Sequence, residues 1–239
     1  MPPALTIIMP VYNEEESIET AVAEIREHIL AKIPGAELLA VDDGSKDTSP
    51  ALLDKMSRTI PGVRVVHKPN GGHGDAVRYG LDRAEGEYLF LMDSDRQIPV
   101  EDFDLLWDRR EPNRLVSGVR AERHDPLHRL ALTRLVRLGI WLLFGKWIRD
   151  ANVPFKLFHR SVWERAAPLI ARGALAPSLF LAVAAVFDPQ TDFEPIVVRH
   201  RVRAAGATVL RPVKLLKFCL KAFGQMLEFR RKLKTWKRG

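Results

Sequence analysis

The first hundred residues repeat one pattern, and it leaves few folds open. Short apolar runs (Thr6–Val11, Glu37–Val41, Val63–His67, Tyr88–Met92) alternate with stretches whose apolar residues recur every three or four positions. Runs this apolar read as strands of a parallel sheet covered on both faces. Between the first two, Ile18, Ala21, Val22, Ile25 and Ile29 mark a helix from a Ser17 cap to about Ile33, ended by Pro34-Gly35. A second helix spans about Thr48–Thr59 and stops before Pro61-Gly62. A third leaves the glycine-rich turn Asn70–Gly74 and carries Ala76, Val77, Gly80, Leu81 and Ala84. The alternation predicts an α/β fold: a Rossmann-like, doubly wound, mostly parallel sheet. Right-handed crossovers bring every strand's carboxyl end to one edge, where ligands of such sheets bind.

That edge is polar and acidic. It collects Tyr12-Asn13-Glu14, Asp42-Asp43, the glycine turn and Asp93-Ser94-Asp95. Asp93 and Asp95, one residue apart at a strand end, are hard oxygen donors suited to Mg²⁺ or Mn²⁺. A cation there could neutralise a pyrophosphate leaving group. The other reading of Asp93-x-Asp95 is a solvated turn before the next helix, and that of Asp42 and Asp43 a helix cap. Carboxylates also suit ribose hydroxyls and base N–H groups. A Walker sequence is absent, and no Gly-x-Gly-x-x-Gly follows the first strand, which argues against a dinucleotide enzyme.

The second half differs in charge. Within a total of +7 over 239 residues, the first hundred are net acidic and the remainder strongly basic. A basic half suggests a polyanionic partner: phosphates, nucleic acid or an anionic membrane. A helix is expected at Asp102–Glu111 and a fifth strand at Leu115–Gly118. Leu127–Trp147 mixes Arg129, Arg134 and Arg137 with Leu130, Leu135, Leu138, Trp141 and Trp147. It reads as an interfacial helix or as a core-packed helix with solvated arginines. From Arg211 to Gly239 there are ten Lys/Arg and one acid, Glu228, with Leu216, Leu220, Phe223 and Leu227 in a helical row. This basic amphipathic helix suits a membrane surface, packing on the domain or, less well, nucleic acid, for which no RNA-recognition signature is present. Residues 1–210 are therefore expected to form one domain and 211–239 an appended helix. The uncharged stretch Gly173–Phe187 is shorter than the roughly 20 residues a spanning helix needs. The single cysteine, Cys219, excludes an intrachain disulfide and fits a reducing compartment. The N-terminus runs into a strand without the basic region of a signal peptide.

Four motifs in order, Pro10-Val11-Tyr12-Asn13-Glu14, Asp42-Asp43-Gly44-Ser45-x-Asp47, Asn70-x-Gly72-x-Gly74-x-Ala76 and Met92-Asp93-Ser94-Asp95-x-Gln97, resemble a family 2 glycosyltransferase of the GT-A fold. Gly118-x-Arg120, Arg129-x-x-x-Thr133, Asp150 with Phe155-Lys156, and Arg203-x-x-Gly206-x-Thr208 resemble the dolichyl- and polyprenyl-phosphate sugar synthases within it. Arg96 stands where relatives often carry Leu, and Pro154 where they carry Gly. The resemblance implies that Pro10, Tyr12, Asn13, Glu14, Asp42, Asp43, Gly72, Asp93, Ser94 and Arg203 bind the nucleotide-sugar donor, with GDP or UDP as the nucleotide. It implies that Asp93, Asp95 and Gln97 hold Mg²⁺ or Mn²⁺, and that Arg120, Arg129, Thr133 and Lys156 hold the acceptor phosphate. Asp95 and Asp150 are the expected catalytic pair.

The acceptor chemistry has a basis of its own. A hydroxyl acceptor needs a general base. A phosphate monoester is already anionic at neutral pH and needs positioning, which arginine forks supply. Asp150 reads either as a base or as a group that orients Lys156 or an arginine. The expected activity is inverting transfer of a hexose from a GDP- or UDP-sugar to polyprenyl phosphate, peripherally at the cytoplasmic face of the membrane. A hydroxyl-acceptor transferase and an inactive membrane-docked scaffold are the alternatives. Oligomeric state stays open.

Overall fold

The computed structural model describes residues 3–121, 127–201 and 212–236, with the side chains of 127–133 and 212–219 outside that description. Strands and helices follow as β1 (Leu5–Val11), α1 (Ile18–Ile25), β2 (Ala36–Asp42), α2 (Ser49–Thr59), β3 (Val63–His67), α3 (His73–Leu81), β4 (Tyr88–Met92), α4 (Phe103–Trp107) and β5 (Arg114–Arg120). Then come α5 (Leu127–Phe144), β6 (Phe155–His159), α6 (Arg160–Ala166), α7 (Pro177–Phe187), β7 (Asp192–Val198) and α8 (Pro212–Trp236). The seven strands form one sheet in the order β3-β2-β1-β4-β6-β5-β7.

β1, β2 and β3 pair in parallel, as do β1 with β4 and β5 with β7. The strand order reverses beside β1: β2 lies on one side and β4 on the other. Just beyond the carboxyl ends of β1 and β4 is the crevice where a doubly wound sheet binds its ligand. Tyr12-Asn13-Glu14 and Asp93-Ser94-Asp95 emerge into it.

β6 departs from the expected arrangement. It runs antiparallel to both β4 and β5, with Leu91 opposite Lys156 and Ser117 also opposite Lys156. Its amino end therefore lies at the edge where the parallel strands finish.

Both faces of the sheet are covered, which explains the uninterrupted apolar runs. Ile7, Met9, Phe90 and Met92 face one layer, with Ile18, Val22 and Ile25 of α1, Leu53 of α2 and Phe103 of α4. Ile8, Leu89 and Leu91 face the other, with Val77 and Leu81 of α3 and most of α7. Gly80 permits the close approach of α3: a Cβ there would lie 2.5 Å from Ile8 Cγ2 and 3.0 Å from Val41 Cγ2.

Several expected boundaries shift. α1 ends at Ile25 and passes into a π-helical turn, Arg26–Leu30. Ser17 caps no backbone amide; its hydroxyl instead donates to Glu14 Oε2 at 2.9 Å. The helix expected to reach Glu111 closes at Trp107 after a 3₁₀ turn, Val100–Asp102. Gly173–Phe187 is largely α7, a core helix begun by Pro177.

α8 packs through Met226, Phe229 and Leu233, with Phe229 against Phe180 and Phe144 at ring separations of 4.9 and 6.0 Å. Leu220 and Phe223, in the row singled out from the sequence, are exposed. α5 buries Ile140 but exposes Leu135, Leu138, Trp141 and Leu142, and Trp147 follows at 60% exposure. No described helix is long and apolar enough to cross a membrane.

Candidate active site

The crevice holds two connected spaces. The larger is an open cleft of about 360 Å³ lined by Pro10, Tyr12, Glu14, Asp43, Gly72, Asp93, Ser94 and Asp95. That size lies within the usual range for small-molecule sites, about 300–1,000 Å³. Beside it is a chamber of about 40 Å³ bounded by Asp93, Asp95, Gln97, Arg120, Pro154, Phe155 and His200. It has room for an ion or a few waters rather than a sugar.

The loops around the cleft are laced together. Asn13 adopts φ 53°, a conformation Asn tolerates. Its N–H donates to Ser45 Oγ at 3.0 Å, and its Oδ1 accepts from Lys46 N at 2.8 Å. Glu14 N donates to Ser49 Oγ. Asn13 thus joins the first two motifs and does not line the cleft.

The two aspartates at the carboxyl end of β2, Asp42 on the strand and Asp43 just beyond it, have different roles. Asp42 is buried; Oδ1 accepts from Ser45 N at 2.9 Å, and Oδ2 lies 2.8 Å from His67 Nδ1. Its carboxylate fastens the loop and strand β3 instead of facing the cleft. Asp43 does line the cleft, where it also gathers the glycine turn. Oδ1 accepts from Lys68 Nζ at 2.6 Å and from Gly71 N at 2.9 Å, and Oδ2 accepts from Gly72 N at 2.8 Å. Gly72 sits at φ 88°, where a side chain would be strained.

Asp93 carries the chamber's electrostatics. Its Oδ1 is buried with no hydrogen-bond partner among the described residues, and His73 Nε2 lies 3.8 Å away. Burial, opposed by His73 and reinforced by Asp95, pushes the Asp93 carboxyl up to about 6. Asp95 Oδ1 accepts from Gln97 N at 3.1 Å, and Gln97 O accepts from Arg201 N at 2.7 Å. A buried carboxylate oxygen without a donor, beside a second carboxylate and an amide, fits a hard divalent cation. Among the described residues no three His, Cys, Asp or Glu converge. The set therefore suits a cation held by two carboxylates and completed by substrate oxygens and water, the usual habit of Mg²⁺.

Arg120 also lines the chamber. Its Nε donates to Asp150 Oδ2 and its terminal nitrogen to Oδ1, both at 2.7 Å, while Arg120 N reaches Oδ2 at 3.3 Å. Asp150 is buried, at φ 51°. Of the two readings left open for Asp150, this geometry matches the one in which it orients an arginine.

Lys156 requires a correction: it does not reach the cleft. It is 0% exposed, and its ammonium donates to Ala151 O at 3.1 Å, to Ser178 Oγ at 2.8 Å and to Val153 O. Burial, opposed by Asp150, pulls the amine down to about 7. Lys156 fixes the turn that carries Asp150.

Arg203 lies outside the described residues, as do the side chains of Arg129 and Thr133. His200 and His73 were not singled out from the sequence, yet His200 lines the chamber together with Asp93, and His73 Nε2 lies 3.8 Å from Asp93 Oδ1. His200 lies three residues before the Arg203-x-x-Gly206-x-Thr208 motif and His73 inside the glycine turn, so position relative to recognised motifs is the available signal.

Comparison with known proteins gives the family and the fold. The chain is similar to undecaprenyl-phosphate 4-deoxy-4-formamido-L-arabinose transferases. That of Pseudomonas aeruginosa is 29% identical over 215 residues, covering 89% of this chain and 62% of the relative. That of Yersinia enterocolitica is 28% identical, covering 89% and 64%. The chain thus spans under two thirds of the length of these relatives. Among solved structures, glucosyl-3-phosphoglycerate synthase of Mycobacterium tuberculosis, with Mn²⁺, UDP and phosphoglyceric acid, superposes with a TM-score of 0.66 at 18% identity, covering 95% of this chain and 78% of that one. A mannosyltransferase of Pyrobaculum calidifontis with GDP-Man and Mn²⁺ gives 0.61 at 20% identity, covering 86% and 59%. These share the GT-A fold. The model of the family described as "Glycosyl transferase family 2" matches residues 6–165. By fold, by the residues at its sheet edge and by this match, the chain belongs to glycosyl transferase family 2.

Proposed function

We propose that this chain transfers a sugar from a nucleoside-diphosphate donor to polyprenyl phosphate. The observation that carries the reading is the chamber itself: Asp93, Asp95 and Gln97 line the same space of about 40 Å³ as Arg120. A donor diphosphate needs the first group, and an acceptor phosphate needs the second. The similar undecaprenyl-phosphate transferases support the same acceptor.

The donor nucleotide, GDP or UDP, occupies the cleft against Tyr12, Glu14 and Asp43, and its diphosphate reaches Asp93 and Asp95. A divalent cation, Mg²⁺ or Mn²⁺, held by Asp93, Asp95 and Gln97 supplies charge neutralisation for the leaving diphosphate. Arg120, held by Asp150, orients a phosphate oxygen of the acceptor toward the anomeric carbon. The bond from that oxygen forms as the bond to the diphosphate breaks, with inversion. The attacking oxygen is already anionic, so Asp150 abstracts no proton. Arg129 and Thr133 complete the acceptor side, and Arg203 the donor side.

The sugar in this reading is a hexose. A pentose derivative is the second reading, favoured by the arabinose transferred by the similar proteins. Docking is peripheral, at the cytoplasmic face of the membrane. It uses exposed Leu135, Leu138, Trp141, Leu142 and Trp147, with Leu220 and Phe223 of the appended helix. Arg137, whose guanidinium lies 5.5 Å from the Trp147 ring, supplies charge at the headgroups.

Incubation with a panel of GDP- and UDP-sugars, Mn²⁺ and a short polyprenyl phosphate tests the proposal. The expected product is a sugar phospholipid. Transfer to a hydroxyl acceptor but not to the lipid phosphate refutes the acceptor assignment. Failure to bind any nucleotide sugar supports the inactive scaffold.

A further inference from the structure

Arg96 stands between Asp95 and Gln97 at φ 57°. Side chains with a Cβ rarely take that conformation, and a long one needs something to keep it there. Here the guanidinium forks onto Glu24 of α1: Nε donates to Oε2 at 3.1 Å, and a terminal nitrogen donates to Oε1. The two side chains are 34% and 27% exposed, so water competes only in part. The anchor is firm, because α1 is pinned to the sheet by buried Ile18, Val22 and Ile25. Neither Arg96 nor Glu24 lines the cleft or the chamber. Whatever the pair does for the site, it does through the backbone.

We propose that Arg96 is a positioning residue: its fork on Glu24 fixes the left-handed turn that presents Asp95 and Gln97 to one cation. This rests on the reading of Asp93, Asp95 and Gln97 as the cation site. With the fork in place, the turn is set before the cation arrives. Without it, the residue relaxes toward ordinary backbone conformations, and the cation must select a minority of molecules. Apparent affinity falls by the fraction that stays competent.

The test is Mn²⁺ titration of the full chain, followed by electron paramagnetic resonance with and without UDP or GDP, alongside melting without metal. Glu24→Gln keeps the size of the side chain and removes its charge. Mn²⁺ binding is expected to weaken about fivefold, equivalent to about 1 kcal/mol, with the melting temperature nearly unchanged. In an Arg96→Gly background, where the left-handed turn needs no fork, adding Glu24→Gln should change Mn²⁺ binding no further. The exchanged pair Glu24→Arg with Arg96→Glu should restore it. Wild-type Mn²⁺ binding by Glu24→Gln overturns the proposal, whether or not melting changes, and so does an undiminished loss in the Arg96→Gly background. Asp95→Asn separates the two levels of inference. If it binds Mn²⁺ like the wild type, the cation reading falls and this proposal with it; if it loses binding while Glu24→Gln does not, only the role of Arg96 falls.

Discussion

Asp150→Asn discriminates between the two chemical roles open to this carboxylate. In the structure Asp150 accepts two charge-assisted hydrogen bonds from Arg120, each 2.7 Å, and its side chain is 5% exposed. Asparagine keeps one oxygen in place and turns the other into an NH₂ group facing a guanidinium. One charge-assisted bond and the neutralising charge are lost, at about 1.5–3 kcal/mol for such a bond. A destabilisation of about 2.5 kcal/mol lowers the melting temperature of a chain this size by roughly 5–10 °C. Arg120 also loses its fixed orientation in the chamber. The KM for polyprenyl phosphate should then rise tenfold or more, while nucleotide-sugar binding stays close to wild type. Calorimetric donor titration and steady-state acceptor titration across pH 6–9 measure both. If Asp150 were the base, kcat would collapse, KM would hold, and the acidic limb of the pH profile would disappear. That outcome refutes the orienting role.

Other expectations can be checked alongside. Asp95→Asn should abolish transfer, through loss of several kcal/mol of leaving-group stabilisation, and leave the melting temperature near wild type; turnover with metal still required removes Asp95 from the cation site. His67 hydrogen-bonds Asp42 and Asp54, and the Asp42 bond first of all, against burial, raises its pKa above the ordinary value. A raised folded pKa gives stability that is complete below the unfolded value of about 6.5 and fades as pH climbs through the folded value. His67→Gln should therefore lower the melting temperature more at pH 6 than at pH 9, and an equal or reversed difference contradicts the sign. Trp141→Ala with Leu142→Ser should weaken sedimentation with anionic vesicles without lowering the melting temperature, because both side chains are exposed, at 49% and 63%. Unchanged sedimentation moves the contact elsewhere.

The four strands β1–β4 were legible in the sequence because burial on both faces leaves an unbroken apolar run. The acidic edge was legible because a parallel sheet has only one end at which its strands finish. β6 was not. Phe155-Lys156 is part of a motif in the sequence, and a lysine inside a five-residue strand disguises the strand; the carbonyls of Ala151 and Val153, the Ser178 hydroxyl and the nearby charge of Asp150 make that lysine tolerable in the core. The roles of Asp42 and Asp43 looked alike from their adjacency, yet Asp42 is the last residue of β2 and Asp43 the first beyond it. One meets His67 and the other the glycine turn. On α8 both rows of apolar residues have helical spacing. Packing against α5, the 167–169 turn and Phe180 of α7 selected Met226, Phe229 and Leu233, which periodicity alone does not rank. Left-handed Arg96 has no local sequence signature, since its partner Glu24 lies 72 positions away.

The reversal of β6 has a consequence for how such a chain can be altered. β5 and β6 lie side by side and run in opposite directions, so the chain leaves the sheet after Arg120 and rejoins it at Phe155 on the neighbouring strand. Everything between, α5 and its exposed tryptophan included, is an excursion from a single pair of hydrogen-bonded strands. Neither foot of that excursion touches β1, β2 or β3, which carry the other half of the crevice. Residues 121–154 are thus a natural cassette: on the function proposed above, a graft cut at those two strand ends would exchange Asp150, Arg129 and Thr133 while Arg120 and the cleft residues of β1, β2 and β4 stay in place.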